Sequence, residues 1–459
     1  MPFVPLRPRS LAAGVLLLVL LLSGCLTRPD LARLYAGSDD NPDQPPVIVI
    51  HGLAGSTLVD ADTGKQVWPG SLSTLTFSNY RDLAQMSSAD REGEGLVPGG
   101  LFASVAGVDF YGQLLHALES VGHFHKGVPG QPVRADGSDR RRYYVFAYDW
   151  RRDNVRAVRK LHALIEQIRA DYRDPSLRVD IIAHSNGGLI ANYYLRYGPS
   201  DVLDDPAPKP WNEGDLRIRR LVMLGTPTLG SSTSLERLIV GTKMAVRTVP
   251  VEVMATFATP YQALPHPLEH PILDVRGEPV HVDIYDPQVW RDRQWGVYDP
   301  EVIDRVLGSM DTPEAGRQAL ADLHGQFERN LERARRWQWA LSAPVPPNHV
   351  EVAVFGGDCT PTPGRAILDI GPDGRERLVV RPEEVHSRVD GVDYERLLML
   401  PGDGLVTRDS MMGRDLPDVF GRPSGTFPIA QSFFLCERHD QLSVNPYFQN
   451  NLLNFLLAR

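Results

Sequence analysis

The chain has 459 residues, of which 42% are hydrophobic and 23% are charged. This is the composition of a folded globular protein, and it excludes wholesale disorder, collagen and coiled coil. The length predicts either one enlarged α/β domain or two domains. A net charge of −9 without a basic tract argues against a nucleic-acid partner. The three cysteines and the histidines show no zinc-ligand spacing, so neither a disulfide scaffold nor a metal site is predicted.

The first 24 residues are predicted to be a signal peptide. Arg7 and Arg9 form a basic start, and the apolar run at 11–22 is shorter than the roughly 20 residues that span a bilayer. The run ends in the sequence LSGC, which resembles a bacterial lipobox. In such signals the cysteine becomes the lipidated first residue, so we expect Cys25 to hold the protein at the membrane of a bacterial cell envelope.

Residues 25–45 are polar and rich in Pro and Asp, and we expect them to form a lipidated tether. Leu26 follows Cys25 where an Asp would signal retention, and the sorting rule for such lipoproteins then favours the outer membrane of a Gram-negative host. The alternative is an ordinary signal peptide in which Cys25 is incidental.

Beyond the tether, short apolar runs alternate with helical patterns, which predicts a mostly parallel central sheet flanked by helices. Six strands are predicted, at Val47–Ile50, Tyr143–Ala147, Val179–Ala183, Leu221–Leu224, Val350–Phe355 and Ser432–Leu435. Helices are predicted over Val155–Tyr172, from the end of the third strand through Leu195, and over Pro446–Leu457.

Two segments, at about 58–140 and 228–348, interrupt this alternation. The first is rich in Gly and Ser and holds few clear elements, and the second contains one clear helix, which begins with Thr312 as cap and Pro313 at the first position. Insertions of this length at strand ends usually cover a site, so we expect a cap or lid. Residues 46–459 are therefore expected to form one domain with two insertions.

The strongest local signal is the sequence VDIIAHSNGGL at 179–189. An apolar strand runs into Ala183, Ser185 and Gly187, and a helix follows, which is the pattern of a nucleophile elbow. Small residues are needed two positions before and after the serine, because larger side chains would collide across the sharp turn. Ser185 is therefore predicted to be a nucleophile, beside N–H groups that suit a developing oxyanion.

A Gly-rich loop, HGLAGS at 51–56, follows the first predicted strand. In α/β hydrolases such a loop supplies one N–H group of the oxyanion hole, and the residue after the nucleophile supplies the other. We therefore assign the N–H groups of Leu53 and Asn186 to this role. A nucleotide-binding loop is disfavoured, because neither a Lys-Ser/Thr ending nor G-x-G-x-x-G is present.

The acid and the base of such an enzyme follow the nucleophile in the order Asp/Glu, His. Among the histidines after Ser185, only His439 lies between the last predicted strand and the closing helix. Asp403 lies between two glycines in a loop before that strand, and we predict it to be the acid. Asp358 and Asp390 are the alternatives for this position.

The remaining polar residues near these motifs are expected to play supporting roles. Asp440 is expected to face solvent or to lie behind the site, whereas His51 and His184 are expected to line the pocket or to be structural.

The predicted mechanism is nucleophilic: His439 takes the proton of Ser185, an acyl-serine forms, and water or an alcohol accepts the acyl group. No cofactor is needed.

Several islands of sequence extend this pattern. They are PVIVIHGLAGSTL at 46–58 with Val67-Trp68-Pro69, Tyr148-Asp149-Trp150-Arg151, the elbow at Ser185, Leu224-Gly225-Thr226-Pro227, Phe355-Gly356 with Thr360-Pro361-Thr362-Pro363, and Gly402-Asp403-Gly404 with His439. With these islands the chain resembles the lecithin:cholesterol acyltransferase family, which includes lysosomal phospholipase A and phospholipid:diacylglycerol acyltransferases. The resemblance implies an α/β-hydrolase fold and a lipid ester substrate, commonly a phospholipid, which is hydrolysed or transferred to an alcohol.

The chain also departs from that family. His51 stands where the family often has Pro, and Ala183 replaces Gly. The secreted animal members close a lid with a disulfide, but 58–140 contains no Cys.

In this topology Cys359 and Cys436 follow adjacent strands, and we expect them to form a disulfide in an oxidising periplasm. Cα atoms more than about 7 Å apart would exclude it.

The sequence therefore predicts a lipid-anchored serine hydrolase or O-acyltransferase that acts on lipid acyl esters. A catalytically silent, surface-anchored binding protein on a hydrolase fold is an alternative from another class. A thioesterase or a depolymerase with the same triad is an alternative among enzymes.

Overall fold

The computed structural model of the protein describes residues 28–458 except 39–40, 42, 71–79, 86–94, 103, 106–107, 245–246, 344–348 and 414–427. The predicted signal peptide and Cys25 lie outside the described residues. Within the described ranges, no helix combines the length and the apolar character that crossing a bilayer requires.

A seven-stranded sheet forms the centre of the molecule. Its strands are β1 (Val47–Ile50), β2 (His125–Lys126), β3 (Arg142–Phe146), β4 (Val179–His184), β5 (Ile218–Leu224), β6 (Glu351–Gly357) and β7 (Ile429–Leu435). They lie in the order β7-β6-β5-β4-β1-β3-β2, and every neighbouring pair is parallel. The predicted fold class is confirmed, and each of the six predicted strands overlaps a strand of this sheet.

Helices cover both faces of the sheet. The helices of eight or more residues are α1 (Gly112–Ser120), α2 (Asn154–Asp171), α3 (Asn186–Tyr197), α4 (Ser232–Val240), α5 (Pro300–Leu307), α6 (Pro313–Ser342) and α7 (Pro446–Leu457). Successive side chains of a strand point to opposite faces, so Ile48 and Ile50 belong to the core that includes α2 and α3. Val47 and Val49 belong to the core that includes α1 and α7. This two-sided burial explains why β1 is apolar throughout.

The two inserted segments contain more regular structure than the sequence predicted. The first holds α1 and the strands Ser56–Asp60, Gln66–Trp68, Leu96–Leu101, Ser104–Val105 and Val108–Asp109. The second holds α4, α5, α6 and the short helices Val251–Met254, Thr259–Gln262 and Pro287–Asp292, besides the strands Thr242–Met244, Arg247–Val249 and Ile272–Leu273. Apart from α6, these elements are too short to show a clear period. Local caps start several of them; the Asp299 side chain, for example, accepts a hydrogen bond from Glu301 N–H.

The predicted helix at Thr312 is longer than its apolar pattern indicated. The Thr312 side chain accepts a hydrogen bond from Ala315 N–H, Pro313 occupies the first turn, and the helix continues to Ser342. The buried face includes Leu323, Phe327 and Leu331.

Smaller elements complete the carboxyl-terminal half. Thr360–Pro363 pairs with Met399–Gly402, and Ala366–Ile370 pairs with Glu376–Val379. The short helices Tyr394–Leu398 and Arg408–Met412 follow. The loops after β1, β4 and β7 open at the carboxyl ends of their parallel strands, which is the edge where ligands bind in such sheets.

Candidate active site

Ser185 lies at the turn between β4 and α3, with φ 54° and ψ −122°. This backbone conformation is unfavourable for a residue with a side chain, so the surrounding structure has to hold it. Ser185 N–H donates to the carbonyl of Leu224 (2.8 Å), and Gly188 N–H donates to the carbonyl of Ser185 (2.9 Å). A Cβ atom at Gly187 would lie 2.7 Å from the carbonyl oxygen of His51. The elbow geometry therefore requires the glycine that the sequence pattern singled out.

The structure brings Ser185, His439 and Asp403 together in one hydrogen-bonded series. His439 Nε2 lies 3.0 Å from Ser185 Oγ, and His439 Nδ1 lies 2.7 Å from Asp403 Oδ2. Asp403 is 1% exposed and His439 is 8% exposed. The carboxylate fixes the imidazole tautomer with a proton on Nδ1, which leaves Nε2 free to accept the serine proton.

The backbone holds Asp403 in place. Asp403 Oδ1 accepts hydrogen bonds from the N–H groups of Leu405 (3.0 Å) and Val406 (2.8 Å). The N–H group of His439 also donates to the carbonyl of Asp403 at 2.9 Å. One carboxylate oxygen of Asp403 thus accepts hydrogen bonds from the loop, and the other contacts His439. These contacts fix Asp403 and His439 relative to each other.

The alternative acids lie elsewhere. Asp358 has its carboxylate 3.8 Å from Arg408, and Asp390 is exposed. Asp440 is partly exposed and lies 3.3 Å from Arg438. Among the described residues, Asp403 is the carboxylate that contacts His439.

Leu53 and Asn186 border the same cavity as Ser185 and His439. Asn186 is the first residue of α3, so its N–H group has no acceptor within the helix. Leu53 follows Gly52, where a Cβ atom would lie 2.7 Å from Ser185 Cβ. The loop after β1 therefore packs directly against Ser185. The cavity measures about 40 Å³, which admits water but not a lipid acyl chain.

Tyr111 joins this site without any signal in the sequence. Gly52 N–H donates to Tyr111 Oη (3.0 Å), and the Tyr111 hydroxyl donates to His184 Nδ1 (2.7 Å). His184 Nε2–H in turn donates to the carbonyl of His439 (3.2 Å). Burial lowers the pKa of His184 well below its ordinary value, and the neighbouring His439 lowers it further. Together with Tyr111, the neutral His184 therefore links the loop that contains Gly52 to the loop that contains His439.

A second buried network lies behind Asn186. The side-chain amides of Asn186 and Asn154 exchange two hydrogen bonds (2.8 and 2.9 Å), and Asn186 Nδ2 also donates to Tyr148 Oη (2.9 Å). The Tyr148 hydroxyl donates to the carbonyl of His51 (3.0 Å), and the two rings stack 4.2 Å apart. Burial lowers the pKa of His51 to about 4. His51 is thus a neutral structural residue.

Residues 148–151 connect the core to the two inserted segments. Trp150 Nε1–H donates to the carbonyl of Ser56 (3.2 Å), and Thr259 Oγ1 donates to the carbonyl of Trp150 (2.6 Å). Arg151 pairs with Asp149 at 2.7 Å and donates to the carbonyl of Leu83 at 2.9 Å. These contacts give the island a supporting role around the site.

Cys359 and Cys436 are joined by a disulfide, with Cα atoms 5.0 Å apart. The two residues follow β6 and β7, so the bond connects the ends of adjacent strands. It braces the loop that leads to His439. Within the described part of the chain, no three His, Cys, Asp or Glu residues are grouped so that they could hold a metal ion.

Comparison with known proteins agrees with this fold. The family model described as lecithin:cholesterol acyltransferase matches residues 134–267, a segment that includes Ser185 and the island at 148–151. No curated protein matches the chain.

Three solved structures similar to this chain differ in the closeness of the match. A chain of the Tle4–Tli4 complex has a TM-score of 0.54 at 16% identity, and the match covers 90% of this chain and 98% of that chain. Staphylococcus hyicus lipase has a TM-score of 0.35 at 12% identity, with 94% and 98% covered. The mature form of Bacillus licheniformis lipase BlEst2 has a TM-score of 0.34 at 11% identity, with 91% and 93% covered. At these identities the similarity concerns the fold. The fold and the family match together identify an α/β-hydrolase fold that is similar to the lecithin:cholesterol acyltransferase family over residues 134–267.

Proposed function

We propose that the protein is a serine-dependent lipid acyl-ester hydrolase or O-acyltransferase that works through an acyl-Ser185 intermediate. The observation that carries this proposal is the buried series from Ser185 Oγ through His439 to Asp403, with contacts of 3.0 and 2.7 Å. Both distances lie within the range in which a base can take a proton from a nucleophile.

The first half of the reaction forms the acyl-enzyme. Ser185 Oγ attacks the ester carbonyl carbon while His439 Nε2 takes the hydroxyl proton, and Asp403 stabilises the resulting imidazolium. The N–H groups of Leu53 and Asn186 stabilise the negative oxygen of the tetrahedral intermediate. The bond to the leaving alcohol then breaks, and His439 returns the proton to that alcohol.

The second half releases the acyl group. Water or an acceptor alcohol loses a proton to His439 and attacks the acyl-serine, which restores the free Ser185 hydroxyl. The balance between hydrolysis and transfer depends on whether an alcohol displaces water from the cavity. The cavity of about 40 Å³ is much smaller than the pockets that hold drug-sized ligands, so a long acyl chain requires the bordering segments to separate.

We further propose that the mature chain begins at a lipidated Cys25 and acts at the bacterial cell envelope, at the outer membrane in a Gram-negative host. The basic start, the short apolar run and the LSGC sequence support this proposal. Metabolic labelling with a radioactive fatty acid tests it: the wild-type chain should incorporate label, and the Cys25→Ala chain should not. Equal labelling of both chains would contradict lipidation at this residue.

Covalent labelling with a fluorophosphonate tests the proposed chemistry, because the reagent requires an activated serine. The wild-type protein should label and should cleave p-nitrophenyl butyrate, whereas Ser185→Ala should do neither. Ser176→Ala is a matched control, because Ser176 Oγ bonds only its neighbour Asp174. Absence of labelling in the wild type would favour the silent binding protein.

Product analysis then separates the possible reactions. Labelled phospholipid is incubated with the enzyme, with and without a long-chain alcohol, and the products are separated by chromatography. Free fatty acid indicates hydrolysis, and a new ester indicates transfer. Turnover of acyl thioesters in preference to oxygen esters would instead favour a thioesterase.

A further inference from the structure

One cationic side chain borders the cavity at Ser185. Arg237 belongs to the last turn of α4, and it borders the same cavity as Ser185, His439 and Leu53. Arg237 and Ser185 therefore border one small space. The proposed mechanism leaves this arginine without a role.

Among the residues that the structure describes, no carboxylate forms an ion pair with Arg237, and the adjacent Glu236 is the acidic side chain whose charge acts on it. No side chain or carbonyl there accepts a hydrogen bond from its guanidinium, and its Nε atom is buried without an acceptor. The adjacent Glu236 has its carboxylate 3.2 Å from Arg381. Arg237 as a whole is partly exposed, and burial lowers its pKa while the charge of Glu236 raises it. An arginine nevertheless stays protonated in proteins, so the site keeps a positive charge.

We propose that Arg237 is a specificity-determining residue that binds an anionic oxygen group of the substrate beside the scissile ester. The inference rests on the proposed function of the same site. A guanidinium presents several N–H donors in a planar fork that fits a phosphate or a carboxylate group. An anion of this kind would supply an acceptor for the buried Nε–H group and a counter-charge for the guanidinium.

Two sources of such an anion are chemically distinct. A phosphodiester would lie on the alcohol side of the ester, as in a phospholipid, whereas a carboxylate would lie in the acyl group. Either group presents anionic oxygens that could bind Arg237. Substrates that carry one of these groups are therefore compared with substrates of equal chain length that lack it.

The experiment measures selectivity in the full-length protein. Dihexanoylphosphatidylcholine is compared with dihexanoylglycerol, and mono-p-nitrophenyl glutarate is compared with p-nitrophenyl valerate. For each pair, the ratio of kcat/KM for the substrate that carries the anionic group to that for the substrate that lacks it is determined in wild type, Arg237→Gln and Arg237→Lys. Arg305→Gln is the matched control, because Arg305 pairs with Glu252 on the cap and does not border this cavity.

The ratio for at least one pair should fall about ten- to hundredfold in Arg237→Gln. The pair that responds identifies the source of the anion. Arg237→Lys should retain part of the ratio, because it keeps the charge but loses the fork, and Arg305→Gln should retain all of it. Unchanged ratios in Arg237→Gln would overturn the inference, as would an equal loss for anionic and neutral substrates, which indicates a structural role. Absence of fluorophosphonate labelling in the wild type would instead contradict the proposed function itself.

Discussion

The phenolic oxygen of Tyr111 accepts a hydrogen bond from Gly52 N–H at 3.0 Å while its proton goes to His184 Nδ1 at 2.7 Å. A single side chain thereby joins the loop after β1 to the histidine that precedes the nucleophile. Burial raises the pKa of Tyr111, so the phenol keeps the proton that this arrangement needs.

Removal of that hydroxyl should therefore weaken both folding and catalysis. Tyr111→Phe leaves the Gly52 N–H group and His184 Nδ1 buried without partners, which should lower the free energy of unfolding by about 1–3 kcal/mol. Displacement of the adjacent Leu53 N–H should lower kcat by about tenfold. Urea unfolding and steady-state kinetics measure the two effects. Tyr447→Phe is the control, because Tyr447 is exposed; equal behaviour of the two variants would contradict a positioning role for Tyr111.

The identity of the catalytic acid is testable by two matched substitutions. Asp403→Asn should lower kcat by about 10³–10⁴-fold, because an amide favours the wrong tautomer of His439. Asp358→Asn should leave kcat unchanged, since its carboxylate lies beside Arg408. The kcat for p-nitrophenyl butyrate is the measurement. If the two variants exchanged these results, Asp358 would have to be the acid.

Buried neutral histidines predict that the fold weakens in mild acid. The pKa of His51 is lowered to about 4 in the folded protein, against an ordinary value of about 6.5 for an exposed histidine. The unfolded chain therefore binds the extra proton between these values, so the contribution is complete above about pH 6.5 and is lost as the pH falls towards 4. His266, whose pKa burial also lowers to about 4, contributes in the same direction.

Urea unfolding from pH 7.5 to pH 5 measures this dependence. The free energy of unfolding should fall over this range, and the slope should be smaller in His266→Gln, which removes one of these buried histidines without touching Ser185, His439 or Asp403. A free energy of unfolding independent of pH between 7.5 and 5 would contradict the prediction.

The disulfide should stabilise the fold by restricting the unfolded chain. Cys359 and Cys436 are 77 positions apart, and closing a loop of this length is worth about 4 kcal/mol in the chain-entropy model. Cys359→Ser together with Cys436→Ser should lower the free energy of unfolding by a similar amount. A reductant should weaken the wild-type protein to the same extent and should not affect the double variant. A wild-type protein that is indifferent to reductant would show that the bond adds no stability.

Elements that are buried on both sides were predictable from the sequence. β1 was predicted with the bounds that the structure has, because every residue of Val47–Ile50 is buried and the run is apolar throughout. The proximity of Ser185, Asp403 and His439 was predictable from their order relative to the predicted strands, because the topology of the fold fixes which loops meet.

Features that depend on tertiary contacts were not predictable in this way. The strand His125–Lys126 is exposed and two residues long, so it has no apolar signature. Tyr111 and Arg237 join the site through the folding of inserted segments, where no motif marks them. Short helices such as Thr259–Gln262 are stabilised by packing against α4 and α6, which local sequence does not encode.

Ser185 and His439 are 254 positions apart in the chain. The strand that leads to His439 is β7, which lies at the edge of the sheet. A growing chain therefore completes its nucleophile elbow long before the base has been synthesised. In the proposed mechanism, Ser185 stays an unactivated alcohol until β7 pairs with β6 and brings His439 to it. A chain that ends before β7 therefore lacks the base that the proposed reaction requires.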